Sequence, residues 1–169
     1  MNTSILAWWR ASQIVGAAAL ALLLAACGGG GGGDAMVEGQ DRPSSDTEAA
    51  RFLHQASFGA TEVEISTVRK FGYTSWIEDQ FRRPRSLHRD YMDRRQAERT
   101  AASEGNVSQD DFFESWWAQA VTGQDQLRQR VAFALSQIFV VSFADGTVAG
   151  YPRGVASYYD MLAANAFGT

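Results

Sequence analysis

Six consecutive glycines, Gly28 to Gly33, divide this chain into two parts. Glycine has no side chain to bury and the most backbone freedom to lose, so a run of six neither builds a core nor extends a helix. The folding part must lie beyond it. The run formally satisfies the dinucleotide-binding spacing G-x-G-x-x-G, but no strand precedes it and no strand-helix-strand unit surrounds it, so it reads as a flexible tether. Upstream, residues 11–33 carry no charge, Arg10 precedes them, and residues 14–26 are almost wholly Ala, Leu, Val and Ile. Those thirteen positions rise about 20 Å as a helix, short of the ~30 Å hydrocarbon core of a bilayer. A short apolar stretch behind a basic residue and ending in small residues fits a cleaved export signal better than a membrane span.

The end of that stretch is more specific. Leu24-Ala25-Ala26-Cys27 resembles the signal box of bacterial lipoproteins, in which a branched apolar residue and two small ones admit the peptidase to the bond before a lipid-modified cysteine. The resemblance implies a lipoprotein signal peptide over residues 1–26, lipid attachment (palmitate among the acyl chains) at Cys27, and a Gly-rich tether over 27–43. Two or more acyl chains anchor a protein stably where one holds it only marginally. The residue after the cysteine is Gly28 rather than Asp, which by the same resemblance implies the outer membrane. The expected address is therefore outside the cytoplasm, lipid-anchored to the cell envelope, with the membrane as a partner. Cys27 is the only cysteine, so an internal disulfide is excluded.

Fifteen Lys and Arg stand against nineteen Asp and Glu, a formal net charge of -4, which argues against a whole-protein grip on nucleic acid. Charged residues at 20% and hydrophobic residues at 46% place the remainder in the globular class. From residue 44 the periodicity is helical, and the expected fold is all-α, an irregular multi-helix array spanning 44–169. Pro43-Ser44-Ser45-Asp46 opens the first helix, which runs to Gly59. Thr61 with Glu64 opens the second, closed by Gly72, and Ser75 with Glu78 repeats the capping device for a third that Pro84 ends. A polar helix follows from 86 to about 103, with Leu87 and Tyr91 as its apolar contacts and Gly105-Asn106 as its stop. Ser108 with Asp111 opens the next, which carries Phe112, Phe113, Trp116 and Trp117. Residues 124–141 read as a helix apolar on nearly every face and hence buried, although residues 138–141 have strand propensity. A loop of about ten residues from Asp145 and a last helix from Val155 complete the reading.

Three segments then carry a family likeness. Arg51-Phe52-Leu53-His54-Gln55-Ala56-Ser57-Phe58-Gly59, the stretch from Gln126-Leu127-Arg128-Gln129-Arg130 through Ser136-Gln137-Ile138-Phe139, and Tyr158-Tyr159-Asp160-Met161-Leu162 resemble the start of the bacterial domain-of-unknown-function 1800 family. The likeness covers about residues 48 to 168. Members of that family are typically exported proteins of several hundred residues, and their most distinctive polar motif lies after the region matched here. The resemblance thus implies the N-terminal portion of a larger helical domain, a fragment, and leaves the chemistry open.

The candidate sites are few. His54 and His88 lie on separate helices, and no H-E-x-x-H or cysteine cluster accompanies them, so no metal and no cofactor is expected. His54 reads as a hydrogen-bonded packing residue. Ser57 and Ser136 lack the G-x-S-x-G turn of a serine nucleophile. Arg82, Arg83, Arg85, Arg89, Arg94, Arg95 and Arg99, interleaved with Asp90, Asp93 and Glu98, read either as a self-paired helix surface (Asp90 to Arg94, Arg89 to Asp93, Arg94 to Glu98) or as a contact for anionic lipid or acidic polysaccharide. Arg82, Arg83 and Arg85 are the candidates for that contact. Arg128, Arg130 and Gln137, with Tyr158, Tyr159 and Asp160 as partners, read as a buried polar network or the floor of a ligand pocket. The aromatic pairs Phe112-Phe113 and Trp116-Trp117 point to more than one side of their helix, and core packing on one side with docking against absent domain residues on the other explains them without a ligand. Two functions compete: an envelope binding or assembly lipoprotein, which meets an envelope protein or surface polymer, and an envelope hydrolase whose catalytic residues lie mostly beyond residue 169.

Overall fold

The computed structural model describes residues 41–168. The expected signal peptide at 1–26, the lipid attachment at Cys27 and most of the tether lie outside the described residues. Among the described residues eight helices follow one another: α1 (Asp46–Ala56), α2 (Glu62–Phe71), α3 (Tyr73–Arg82), α4 (His88–Ala102), α5 (Gln109–Thr122), α6 (Gln126–Ser136), α7 (Gly146–Ala149) and α8 (Pro152–Ala164). The all-α multi-helix array is therefore the fold.

Local chemistry explains most of the starts. The Ser45 side chain accepts from the Glu48 N–H, Thr61 accepts from the Glu64 N–H, and Ser108 with Asp111 forms a reciprocal capping box, so each helix begins where a hydroxyl satisfies an orphan donor. α3 departs from expectation. It begins at Tyr73 rather than behind Ser75, because the Tyr73 and Thr74 N–H groups donate to the backbone oxygen and carboxylate of Asp41, at 2.8 and 3.0 Å. Gly72, at φ 92°, both closes α2 and opens α3; a Cβ there would lie 2.3 Å from the Asp41 carboxylate. α4 stops at Ser103, which adopts the left-handed conformation at φ 57°, ahead of the expected Gly105.

The larger correction is α6. It ends at Ser136 instead of continuing to 141, and residues 138–141 form neither helix nor strand. Three features stop it: the last turn tightens as Ile138 and Phe139 both donate to Leu135, β-branched residues then lose χ1 freedom in a helix, and Phe143 packs back onto Phe112 and Phe113. Nor is the segment buried, since Ile138 is 71% exposed. The expected ten-residue loop contains α7, a single turn capped by Asp145, and α8 begins at Pro152, three residues before Val155.

Three small cores hold the array. Leu53, Val68 and Trp76 pack α1, α2 and α3 together with Leu127 of α6. Met92, Phe112 and Val155 join α4, α5 and α8, and Ala132, Leu162 and Ala163 join α6 to α8. α6 thus bridges the first core to the last. Met92 is a wholly buried contact of α4 beyond the two expected.

Candidate functional site

Two features carry the polar chemistry: an open cleft and a closed seam. The cleft, of about 670 Å³, lies among the corner between α1 and α2, the outer side of α3 and the turn between α5 and α6. Its size suits a small ligand or one unit of a polymer. Glu64 holds the Trp76 indole N–H across it, Gln126 accepts from the Phe58 N–H at 3.2 Å and donates to Gly123, and Gln80 accepts from the Leu127 N–H at 3.1 Å. Arg83 stands at its rim and donates to the Gln124 side chain at 3.2 Å and to Asp79 at 2.8 Å. These bonds knit three chain segments that lie far apart in sequence.

The seam runs beneath the loop that leads into α4. Asp125, wholly buried, accepts from the Ser86 N–H and from Gln129 Nε2, each at 3.1 Å, while Gln129 also donates to the Ser86 carbonyl at 3.0 Å. The pair clamps Ser86 from both sides of its peptide. α4 has no side-chain cap of its own; instead Asp160 of α8 accepts from the His88 and Arg89 N–H groups at 2.8 and 2.9 Å. Burial raises the Asp160 carboxyl above the usual range, against the lowering effect of those two N–H bonds. Its charge is spent on the positive end of α4.

His88 lies at the centre. Its Nδ1 and the Ser115 hydroxyl share a hydrogen bond of 2.9 Å, and its ring sits between Phe112 and Tyr159 at 5.4 and 5.8 Å. Burial pushes its pKa down to about 4, opposed by the charge of Asp125. Serine, imidazole and carboxylate in one neighbourhood are the parts of an activated nucleophile. However, Ser115 is wholly buried and His88 is 2% exposed, so no substrate reaches the hydroxyl in this state. The bond is structural here. The burial of His88 sets a pH dependence: an unfolded histidine near pKa 6.5 takes a proton that the folded one refuses, so stability falls as pH drops from about 6.5 to 4. Unfolding in urea across that range is expected to show a loss of about 3 kcal/mol. His88→Gln is expected to flatten that slope, and an unaltered slope would place its origin elsewhere.

The expected network of Arg128, Arg130 and Gln137 with Tyr159 and Asp160 does not form. Arg128 and Arg130 leave α6 on opposite sides: Arg128 donates to the Ala163 carbonyl at 3.2 Å and lies over Phe167, whereas Arg130 lies over Phe58 and reaches the Gln55 carbonyl. Gln137 follows the end of the helix, exposed, and donates to Ser136. Tyr158 donates to the Phe139 carbonyl, and Tyr159 packs on Phe112 and His88. Asp160 already has two backbone donors. His54 is exposed, a correction to its reading as a packing residue; His88 takes that part.

The arginine run is self-paired, in a pattern only partly foreseen. Arg82 lies 4.0 Å from Glu78, Arg89 2.9 Å from Asp93, and Arg95, rather than Arg94, pairs with Glu98 at 2.8 Å. Arg94 instead lies over the Tyr91 ring. Arg99 bonds the buried Asp111 of α5, with Arg95 3.6 Å away, and Ser108 holds it as well; the Ser108 and Arg99 bonds together outweigh its burial and keep its carboxyl below the usual range. Arg85 is exposed on the loop that Asp125 clamps. Sequence reasoning missed Ser115, Asp125 and Gln129, which meet His88 and Ser86, residues 27 to 43 positions away in the chain.

A family model described as a protein of unknown function (DUF1800) matches residues 51–169. No curated protein and no solved structure matches the chain.

Proposed function

Since this chain belongs to the DUF1800 family, whose members share a description without an activity, we propose from its own residues that it is an exported lipoprotein, moored at the cell envelope, that binds or assembles; the alternative is an envelope hydrolase whose catalytic residues lie mostly beyond residue 169. The observation that carries the reading is Leu24-Ala25-Ala26-Cys27 followed at once by six glycines, a processing signal joined to a leash. The open cleft supports binding. The pairing of serine with histidine at Ser115 and His88 is closed to substrate, while the cleft beside Arg83 is open and lined by Glu64, Gln80, Gln124 and Gln126. Its occupant would be a polar segment of an envelope protein or a unit of a surface polymer, guided by Arg82, Arg83 and Arg85.

The test is retention of the purified chain on isolated envelope polymer at increasing salt. Replacing the three arginines with alanine is expected to weaken retention several-fold, with the helical circular dichroism spectrum unchanged because these side chains contribute little to any core. Equal retention by the variant would remove the arginine contact from the account.

A further inference from the structure

Two charged side chains line the cleft, and only one of them is matched. Arg83 is paired with Asp79 at 2.8 Å. Glu64 forms no ion pair among the described residues; its side-chain partner is the Trp76 indole, which donates to Oε2 and leaves Oε1 without a donor. A carboxylate accepts several hydrogen bonds, so this one keeps both charge and capacity for a ligand. Trp76 is 4% exposed and packs in the first core, so its bond holds Glu64 in place. The same cleft is also lined by Phe58, Ala60 and Val121, which offer apolar surface.

These features fix the chemistry of an occupant. An unmatched carboxylate calls for a cation, and aromatic rings in the same cleft add to the attraction. A guanidinium binds best as a fork across two carboxylate oxygens, whereas an ammonium is a point donor that needs one, and Glu64 has one to give. Apolar lining suits an aliphatic stem, since lysine-type side chains lay their methylene groups on apolar surface and keep the charged end beyond it. We propose that the cleft seats a primary amine on an aliphatic stem, the lysine-type side chain of a segment of an envelope protein, with its ammonium bonded to Glu64 Oε1 and its methylene groups along Phe58, Ala60 and Val121. The proposal rests on reading the cleft as a binding site. At about 670 Å³ the cleft exceeds one side chain, so the neighbours of the amine enter with it. Acidic neighbours meet Arg82 and Arg85 outside, and a segment of mixed charge satisfies both ends.

The test uses the full chain in detergent and the peptide acetyl-Glu-Lys-Ala-amide, with binding read from the indole N–H resonance of Trp76. The peptide is expected to shift that resonance to saturation. Analogues with norleucine or Nε-acetyl-lysine at the central position keep the stem and lose the charge; they are expected to bind about tenfold more weakly, the effect of one hydrogen bond to a charged group. Glu64→Gln keeps an oxygen for the Trp76 indole and removes the charge, and it is expected to lose the same factor with the helical circular dichroism spectrum unchanged. Unaltered affinity in Glu64→Gln, or equal binding by the norleucine analogue, would overturn the ammonium assignment and leave the cleft standing. An arginine analogue that binds as well as lysine would overturn the assignment to a point donor. A Trp76 resonance that no peptide moves would overturn the cleft reading as well. A glucosamine oligosaccharide that binds through Glu64 where the lysine peptide does not would overturn the proposal in favour of a sugar amine.

Discussion

Cys27→Ser is expected to abolish incorporation of labelled palmitate and to leave the chain carrying residues 1–26. Lipid transfer needs a nucleophile, and a thiol with pKa near 8.5 supplies some thiolate at neutral pH, whereas a serine hydroxyl supplies essentially no alkoxide. The consequence is large because each acyl chain contributes ~0.8 kcal/mol per buried CH₂ and a single chain partitions with a constant of only ~10⁴ M⁻¹. Losing every chain therefore removes at least that factor from the hold of the mature protein on a membrane. The helical array itself begins at Asp46 and is expected to keep its melting curve in the variant. Labelled, mature-sized protein from the serine variant would place the lipid on another residue.

The second large effect is on stability. Phe112→Ala is expected to cost about 3–5 kcal/mol, the range for removing an aromatic ring from a packed core. Phe112 is 3% exposed and its ring centroid lies 5.1 Å from Tyr159, 5.4 Å from His88 and 5.6 Å from Phe143. Those rings belong to α8, α4 and the segment after α6, so one deletion loosens four pieces of chain. Its neighbour supplies the contrast. Phe113 is 46% exposed, and Phe113→Ala is expected to cost less than about 1 kcal/mol. Urea unfolding of the two variants gives the comparison directly: a large difference supports the core centred on Phe112, and equal losses would contradict it. Against a total of roughly 5–15 kcal/mol for a domain, the first variant sits near the limit of folding.

The features legible in the sequence share one property, in that their chemistry closes within a few residues. Ser45, Thr61 and Ser108 each cap the helix that they precede, so a reader with the sequence alone finds all three starts. The family likeness was equally local, carried by three continuous segments, and the match over residues 51–169 bears it out. What escaped closes across the chain. Asp41 opens α3 from 33 residues upstream of Thr74, and Asp160 caps α4 from 72 residues beyond His88. The need of a buried charge for a partner assigns Asp160 to a network with Arg128; only the packing of α8 against α4 shows that its carboxylate has backbone donors nearer at hand. Periodicity also extended α6 through residues whose side chains are apolar but which leave the helix after Ser136. Apolar composition there suggested an interior, whereas Ile138, Phe139 and Val140 are exposed, and a charge-free run in the sequence does not distinguish the two. His54 and His88 exchange roles for the same reason: neighbours in sequence suggested burial for one, and neighbours in space bury the other.

The account turns on the state of a single residue, and the mass of the N-terminal peptide of the mature protein, isolated from cells in detergent, reads it. A peptide that begins at Cys27 and carries the added mass of a diacylglyceryl group is the predicted result. A peptide that begins at Met1, or one in which Cys27 is a free thiol, would contradict it.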